Sequence, residues 1–352
     1  MTLDNAKKAL DLLIGKARVH LYKPIQIAEI LYRDRIYGDI NISDLETYRS
    51  KSKKWRDIVS YDLVGNISTS SARFQDDLFN ANAIPIDVLR ELAIYNKQTD
   101  GSVESYIYKH LENRNLQMFN ALDYCIDSNK ETFDLETFIN MFWEQKGLRR
   151  SLDKIYEIIV YSLFDLLVTE MNIQIEVSFD SSKQNIINRF PDFAKKVIGI
   201  DVNTPSMKAL AKINRVGVAN AADRGIDMWA NFGPAIQVKH LTLKEELAEE
   251  IVSSLSADRI VIVCKDAEQK VIISLLNQIG WKARIQSIVL ESELIKWYSE
   301  ALRGEYANIL GDKLLSSISK EIALEFPSVI NIIPFMKERG YDLISDEIFY
   351  LD

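Results

Sequence analysis

Residues that could act together on a phosphate lie within one short stretch, DRGIDMWANFGPAIQVKHL, at residues 223–241. Side chains alternate between the two faces of a strand, so Gln237 and Lys239 share one face and Val238 lies on the other. If a preceding strand that carries Asp227 pairs with this one, its carboxylate joins the same face. A carboxylate, an amide and an ammonium group at one place suit the binding of a hard cation, a water and a phosphate.

Hydrolysis of a phosphodiester is the reaction that these groups would support. Asp227 is the natural ligand for Mg²⁺, Gln237 offers a carbonyl oxygen, and the backbone carbonyl of Val238 is a third ligand. Lys239 would orient the attacking water or neutralise charge on the phosphate. We therefore predict Mg²⁺ as the cofactor, with Asp227, Gln237 and Val238 as its ligands.

A neutral amide at position 237 leaves this predicted metal site one negative charge short, so another acid is expected nearby. Glu157 is the preferred candidate, because an acid is costly in an otherwise apolar helix unless it is used. Glu170 on the same helix and Glu176 on the following strand are the alternatives. The spacing is also compatible with ordinary structure, in which Asp227 is a turn acid and Glu157 an exposed helix position.

The elements that must position these residues follow an α/β (α+β) pattern, with a helical N-terminal half and then a mixed sheet flanked by helices. Strands at 225–230 and 235–241, joined by a turn at 231–234, form the predicted central hairpin. The segment 182–213 is predicted to be helix interrupted by Pro191 and Pro205. The other predicted elements are helices at 152–171, 244–255, 266–279 and 291–302 and strands at 172–179, 259–264 and 284–290.

This order of elements predicts three regions. Residues 1–148 form a mainly helical region for DNA binding and dimerisation, residues 149–302 form the catalytic core, and residues 303–352 form a C-terminal helical subdomain. The first boundary follows from the sequence KGLRR, a basic joint that precedes the long helix of the core.

The composition limits the class of protein and of active site. Two cysteines and three histidines, widely spaced, argue against a zinc site and against a cysteine or serine nucleophile. No apolar run is long enough to cross a bilayer, and the thiols are expected to be reduced, so we expect a cytoplasmic protein with no membrane partner. The formal net charge of −8 argues mildly against a nucleic-acid partner, although basic residues can be concentrated in one groove.

The stretch around Asp227 resembles the core motif of the PD-(D/E)xK nucleases, in the variant whose last element reads QxK. Gly225, Ile226 and Asp227 match the first half of that motif, and residues 237–239 match the second half. The segments NISTSSARFQDDLFN and VGVANAADRGIDMW, together with the chain length, are similar to type II restriction endonucleases of the HaeII type. This second likeness covers essentially the whole chain.

The resemblance implies a bacterial enzyme that cuts double-stranded DNA with Mg²⁺ at a short palindrome containing GCGC and leaves 5′-phosphate ends. It also implies a homodimer, because a two-fold symmetric site calls for a two-fold symmetric reader, and a cognate DNA methyltransferase as a functional partner. Asp227 and Gln237 would be metal ligands and Lys239 the catalytic lysine. Two other functions remain open, namely a structure-specific or repair nuclease on the same core and a non-catalytic nucleotide-binding α/β protein.

DNA contacts are expected from a basic segment at 43–65 and from the hydroxyl- and amide-rich segment that follows it, because such side chains suit phosphates and base edges. The same residues are also compatible with a solvated helix end and a capping turn. A second pair of arginines, in the basic joint, suits phosphate contacts. The predicted DNA-binding residues are Asn66, Arg73 and Gln75 for bases and Lys53, Lys54, Arg149 and Arg150 for the backbone.

Overall fold

The chain is described from a computed structural model at residues 1–65, 67, 77–79, 83–216, 226–254, 257–267, 285–345 and 347–350. Contacts between residues divide it into two units. The first unit comprises Met1–Ile155 together with Ile318–Asp352, and the second comprises Tyr156–Ser317. The three predicted regions, with boundaries after residues 148 and 302, stay a prediction.

The first unit begins with a series of helices, and side chains satisfy both ends of the first one. Thr2 caps the first helix by accepting a hydrogen bond from the Asn5 backbone. At its other end the buried Arg114 guanidinium donates to the carbonyl oxygens of Ile14, Ala17 and Arg18, at 2.6, 2.7 and 3.0 Å. These helices are α1 (Leu3–Lys16), α2 (Tyr22–Ile36), α3 (Arg49–Val64), α4 (Ile86–Gln98), α5 (Ser102–Asp127) and α6 (Leu135–Glu144).

The second unit contains two sheets. A two-stranded antiparallel sheet pairs β1 with β2, and a five-stranded sheet has the order β3-β4-β5-β6-β7. The first three strands of the larger sheet are antiparallel neighbours, whereas β6 and β7 run parallel to β5. The strands are β1 (Gln174–Ser178), β2 (Ser206–Leu210), β3 (Ile213–Arg215), β4 (Met228–Ala230), β5 (Ala235–Lys239), β6 (Ile260–Cys264) and β7 (Ile285–Leu290).

Helices separate these strands along the chain and continue beyond them toward the C-terminus. In chain order they are α7 (Leu152–Glu170), α8 (Gln184–Arg189), α9 (Pro191–Phe193), α10 (Glu245–Ser254), α11 (Glu291–Arg303), α12 (Ala307–Glu325), α13 (Ile332–Glu338) and α14 (Glu347–Tyr350). A single π-helical turn, Ala194–Ile198, follows α9 directly. Within the part of the chain described here, every helix is too short or too polar to span a bilayer.

The hydrophobic core of the first unit joins the two ends of the chain. Its buried cluster combines residues of α1 to α5 with C-terminal residues such as Val329, Ile332 and Tyr341. Glu104 is fully buried inside it and is paired, because it accepts from Arg35 at 2.8 and 3.0 Å and from the Tyr341 hydroxyl at 2.5 Å. Because a buried carboxylate is costly without such partners, these bonds fix the C-terminal segment against α5.

The predicted fold class is confirmed, since a helical N-terminal half precedes a mixed sheet flanked by helices. One part of the prediction is wrong. The segment 182–213 is not helical throughout, because Ser206–Leu210 and Ile213 onward are strands. The residues Met207, Lys208, Ala209 and Leu210 favour helix by themselves, but pairing with β1 overrides that preference. Most of the predicted helix at 266–279 lies outside the described residues.

Candidate active site

The central hairpin is formed by β4 and β5 and by a turn that one glycine makes possible. Ala230 donates its backbone N–H to the carbonyl of Pro234 at 2.8 Å, and Gly233 donates to the carbonyl of Ala230 at 2.9 Å. Gly233 has φ +124°, a conformation that favours glycine. Arg259 donates to the carbonyl of Phe232, and its guanidinium fills the space where a side chain at 233 would lie.

Asp227 and Gln237 meet at the open end of this hairpin. Met228 pairs with Ile236, and continuing that register by one residue sets Asp227 opposite Gln237. The Gln237 side-chain amide donates to Asp227 Oδ2, and the backbone N–H of Val238 donates to the same oxygen at 2.8 Å. Two N–H donors therefore offset part of the negative charge of one carboxylate, as in other charge-assisted hydrogen bonds.

Val238 and Lys239 complete the group along β5. The N–H and C=O of one residue point to the same edge of an antiparallel strand, so the Val238 carbonyl faces the side on which Asp227 lies. Lys239 is half-buried and shares a face with Gln237, which is only 3% exposed. The strand register therefore places Asp227, Gln237 and Lys239 on one face of the hairpin, as the sequence predicts.

Cys264 on β6 is the register neighbour of Lys239. Burial, the largest cause, raises the pKa of this thiol to about 12, with smaller contributions from nearby carboxylates. At neutral pH the group is therefore an uncharged thiol. It is unsuited to act as a nucleophile beside the candidate site.

Helix α7 runs alongside the sheet from the open end of the hairpin toward its turn. Near its start, the Tyr156 ring contacts the His240 ring, with centroids 6.2 Å apart, just beyond the end of β5. Further on, Asp165 accepts a hydrogen bond at 3.4 Å from the backbone of Ile213, which opens β3 at the turn end. Glu157 adjoins Tyr156 and is 5% exposed, so it is buried at the level of the Asp227 end.

The two alternative acids lie elsewhere. Glu170, at the far end of α7, pairs with Lys313 at 2.7 Å. Glu176 is exposed on β1 and lies 3.9 Å from Lys208 on β2. Among the three candidates, only Glu157 is therefore at the Asp227 end of the sheet.

A magnesium ion fits the donors that this end of the hairpin offers. Asp227 supplies a carboxylate, and the Gln237 side chain and the Val238 backbone supply carbonyl oxygens, the hard ligands that Mg²⁺ prefers. As placed, the Gln237 amide nitrogen is turned toward Asp227. Over the described residues, no three histidine, cysteine, aspartate or glutamate side chains converge. Among the described residues, an ion held here would thus have at most two such side chains, together with neutral oxygens.

The predicted DNA-binding residues are partly described. Lys54 is exposed and Lys53 half-buried on α3, while Arg149 and Arg150 are exposed in the turn before α7. Arg149 also donates to the carbonyl of Trp143 at 2.6 Å. Asn66, Arg73 and Gln75 lie outside the described residues, as does Gly225 of the motif.

Sequence reasoning missed one group at the carboxyl ends of the parallel strands. Glu291, directly after β7, accepts a hydrogen bond from the Tyr156 hydroxyl, and its backbone N–H donates to the carbonyl of Lys265 after β6. His240 follows β5 in the same way. The sequence did carry a signal for these residues, since each one immediately follows an apolar strand. The carboxyl ends of neighbouring parallel strands share one edge of a sheet, so residues that follow such strands lie near one another.

Comparison with known proteins gives a consistent set of relatives. The family model described as HaeII restriction endonuclease matches residues 6–341. The chain is 53% identical over 343 residues to "Type II restriction enzyme HaeII" of Haemophilus aegyptius, covering 97% of each chain. It is 55% identical over 348 residues to "Type II restriction enzyme NgoBI" of Neisseria gonorrhoeae, covering 97% of this chain and 99% of the relative. No solved structure matches.

Proposed function

This chain belongs to the HaeII restriction endonuclease family, and on that premise we propose that the β4–β5 hairpin is the magnesium-dependent catalytic centre of a site-specific DNA endonuclease. The observation that carries the proposal is the convergence of Gln237 and Val238 on one oxygen of Asp227. This pairing requires the two halves of the motif, ten residues apart, to meet in one register.

Each residue has a distinct role in this proposal. Asp227, the Gln237 side-chain oxygen and the Val238 carbonyl would hold Mg²⁺, and the bound ion would supply Lewis-acid activation of a water and positive charge beside the phosphate. Lys239 holds the attacking water in line or stabilises the charge that develops on the phosphate oxygens. Glu157 supplies the second negative charge, which its burial at the same level of the sheet supports.

The substrate is double-stranded DNA with a short palindrome that contains GCGC, and the products carry 5′-phosphates. Two copies of the chain act on the two strands, because a palindrome presents the same sequence to each. Lys53, Lys54, Arg149 and Arg150 contact the phosphate backbone, and Asn66, Arg73 and Gln75 read bases. A methyltransferase for the same sequence is the functional partner that protects the host.

The test is incubation of the purified protein with unmethylated phage DNA in Mg²⁺ or EDTA, followed by sequencing of the fragment ends. We expect discrete fragments with GCGC at each cut in Mg²⁺ and intact DNA in EDTA. Asp227→Ala and Lys239→Ala should each lower the cleavage rate by about 10³-fold or more, because they remove a metal ligand and a transition-state cation. Lys296→Ala, at an exposed position on α11, is the control and should cleave normally.

A gel-shift measurement with the cognate duplex in Ca²⁺ separates loss of catalysis from loss of fold. Both site variants should still bind. Full cleavage by either variant would remove the assignment of the site, and a smear of fragments without a common sequence would remove the assignment of specificity.

A further inference from the structure

Tyr156, in the second turn of α7, joins this helix to the ends of two strands. Its ring contacts the ring of His240, which directly follows β5. Its hydroxyl donates a hydrogen bond to the carboxylate of Glu291, which directly follows β7. Tyr156 is only 2% exposed, so both contacts are shielded from water. This one side chain therefore helps to set where α7 begins relative to the carboxyl edge of the sheet.

The register of the sheet places the two partners of Tyr156 in one row. Lys239 on β5 is in register, through β6, with the last residue of β7. His240 and Glu291 each follow directly, so they lie in the next row. That row also contains a backbone hydrogen bond of 3.3 Å from the N–H of Glu291 to the carbonyl of Lys265. The contacts of Tyr156 therefore lie one residue beyond the proposed catalytic lysine.

A second tyrosine also joins α7 to α11, the helix that Glu291 begins. The Tyr298 hydroxyl donates to the backbone carbonyl of Ile159 at 2.8 Å. Tyr298 is 1% exposed, so two buried tyrosine hydroxyls connect the same pair of helices. The bond from Tyr156 ends on a side chain at the carboxyl edge of the sheet, whereas the bond from Tyr298 ends on the helix backbone. The two hydroxyls therefore offer a matched comparison.

Glu157 depends directly on these contacts for its place. It follows Tyr156 in α7 and is 5% exposed. Because the two residues are adjacent on one helix, a slide or a rotation of α7 at this turn moves both of them. Groups that orient a metal ligand through hydrogen bonds commonly change metal affinity or activity by about 10–100-fold when they are removed. The contacts of Tyr156 are thus suited to control the site without touching it.

We propose that Tyr156 and Glu291 are positioning residues for the reaction, and that their hydrogen bond holds Glu157 at the level of the sheet where its charge supports the metal site. The inference rests on the proposed function, in which Glu157 supplies the second negative charge. Tyr156 acts through the helix that it shares with Glu157. Glu291 acts by accepting the hydrogen bond, so the oxygen that it offers matters and its charge does not.

Direct binding of the metal by Glu291 is the competing role, because it too is a carboxylate at this edge of the sheet. Two observations disfavour it. The Tyr156 hydroxyl donates to this carboxylate and so offsets part of its charge. In addition, β7 is two strands away from β5 in the sheet, so the two backbones lie roughly 10 Å apart.

The first experiment compares the Mg²⁺ requirement of Tyr156→Phe with that of Tyr298→Phe. Each substitution removes one buried hydroxyl from the same pair of helices, so both should lower the melting temperature by about 1–4 °C. Only Tyr156→Phe should raise the Mg²⁺ concentration that half-saturates cleavage, by about 10–100-fold, with the KM for DNA unchanged. The Mg²⁺ concentration that raises the melting temperature of the DNA-free chain should shift in the same way, and this readout does not require cleavage.

Further variants test how the effect arises. Glu291→Gln keeps an oxygen that can accept from Tyr156, so it should retain a near-native Mg²⁺ dependence, whereas Glu291→Ala should resemble Tyr156→Phe. In a Glu157→Gln background, Tyr156→Phe should have no further effect on the stabilisation by Mg²⁺, because the charge that it positions is gone. This double-mutant cycle measures whether Tyr156 acts through Glu157.

The outcomes separate this proposal from the proposed function. An equal Mg²⁺ dependence of Tyr156→Phe and Tyr298→Phe would overturn the positioning role, as would additive effects of Tyr156→Phe and Glu157→Gln. A loss in Glu291→Gln as large as that in Glu291→Ala would assign a direct role to the charge of Glu291 instead. Normal cleavage by Asp227→Ala would remove the catalytic site itself, and it is measured on a different variant in the same assay.

Discussion

At the scale of single residues, Gln237 stands where the nuclease motif that this stretch resembles usually has an acid. A carboxylate there would face Asp227 across the hairpin and repel it, whereas the amide donates a hydrogen bond to it. The site is therefore assembled by attraction between its own side chains before any ion arrives. The cost is a missing negative charge, which makes Glu157 important to the proposed mechanism.

This reasoning predicts the effect of Gln237→Glu. Without metal, two adjacent carboxylates should lower the melting temperature, and the free energy of unfolding should fall by about 1–3 kcal/mol. Mg²⁺ should then stabilise the variant more than it stabilises the native chain, because a second charged ligand binds the ion more strongly. Thermal unfolding in EDTA and in Mg²⁺ measures both effects, and a variant as stable as the native chain in EDTA would contradict the contact.

The sequence was sufficient to predict which side chains of the hairpin share a face, because alternation along two paired strands fixes this for Asp227, Gln237 and Lys239. The sequence could not predict which way the Gln237 amide points. That orientation depends on the position of the Asp227 oxygen in the folded protein. The position of Glu157 along the sheet could not be predicted either, because it follows from the contacts that Tyr156 and Asp165 make with residues distant in the sequence.

At the scale of elements, the β4–β5 turn depends on Gly233. Its positive φ disfavours any residue with a side chain, and the Arg259 guanidinium occupies the space that a Cβ would need. The same guanidinium donates to the turn carbonyl of Phe232. A side chain at position 233 would therefore both strain the backbone and displace the hydrogen bond from Arg259 to Phe232.

We expect Gly233→Ala to lower the free energy of unfolding by about 1–3 kcal/mol. The matched control is Gly15→Ala in α1, where a Cβ meets no atom within 4 Å and φ is not positive. That change should raise stability by about 0.5–1 kcal/mol, since alanine favours helix over glycine. Urea unfolding of the three proteins gives the comparison, and equal effects of the two substitutions would show that the turn is unstrained.

Most strands and helices of the second unit could be predicted because their apolar patterns are strong. The strands β5, β6 and β7 and the helices α7 and α11 lie within a few residues of the predicted ranges. The strands β2 and β3 could not be predicted, because their residues carry little β preference and are held in place by pairing with β1 and β4.

At the scale of the whole molecule, the first unit is built from both ends of the chain. Val329, Ile332, Met336 and Tyr341 belong to the same buried cluster as α1 to α5, and His20 contacts the carbonyl of Pro327 at 3.1 Å. The N-terminal helices therefore lack part of their core until the C-terminal segment is present.

Truncation after Glu325 should consequently prevent stable folding of the first unit. The deletion removes several buried apolar side chains, each contributing about 1.5–3 kcal/mol, and the sum is comparable with the 5–15 kcal/mol that stabilises a typical domain. Circular dichroism and limited proteolysis should show rapid digestion of residues 1–155. Leu343→Ala, at a position that is 85% exposed in the deleted segment, is the control and should behave as the native chain does.

The same closure of the core has a consequence for synthesis on the ribosome. Helices α1 to α5 are translated before the whole second unit, and residues 318–352 follow only about 10–30 s later at a rate of roughly 5–20 residues per second. During that interval the apolar side chains of these helices that pack against residues 318–352 in the folded unit remain uncovered. A chain that terminates before residue 318 lacks this part of the core and is exposed to proteases, so that translation of residues 318–352 is the step that completes the core of the first unit.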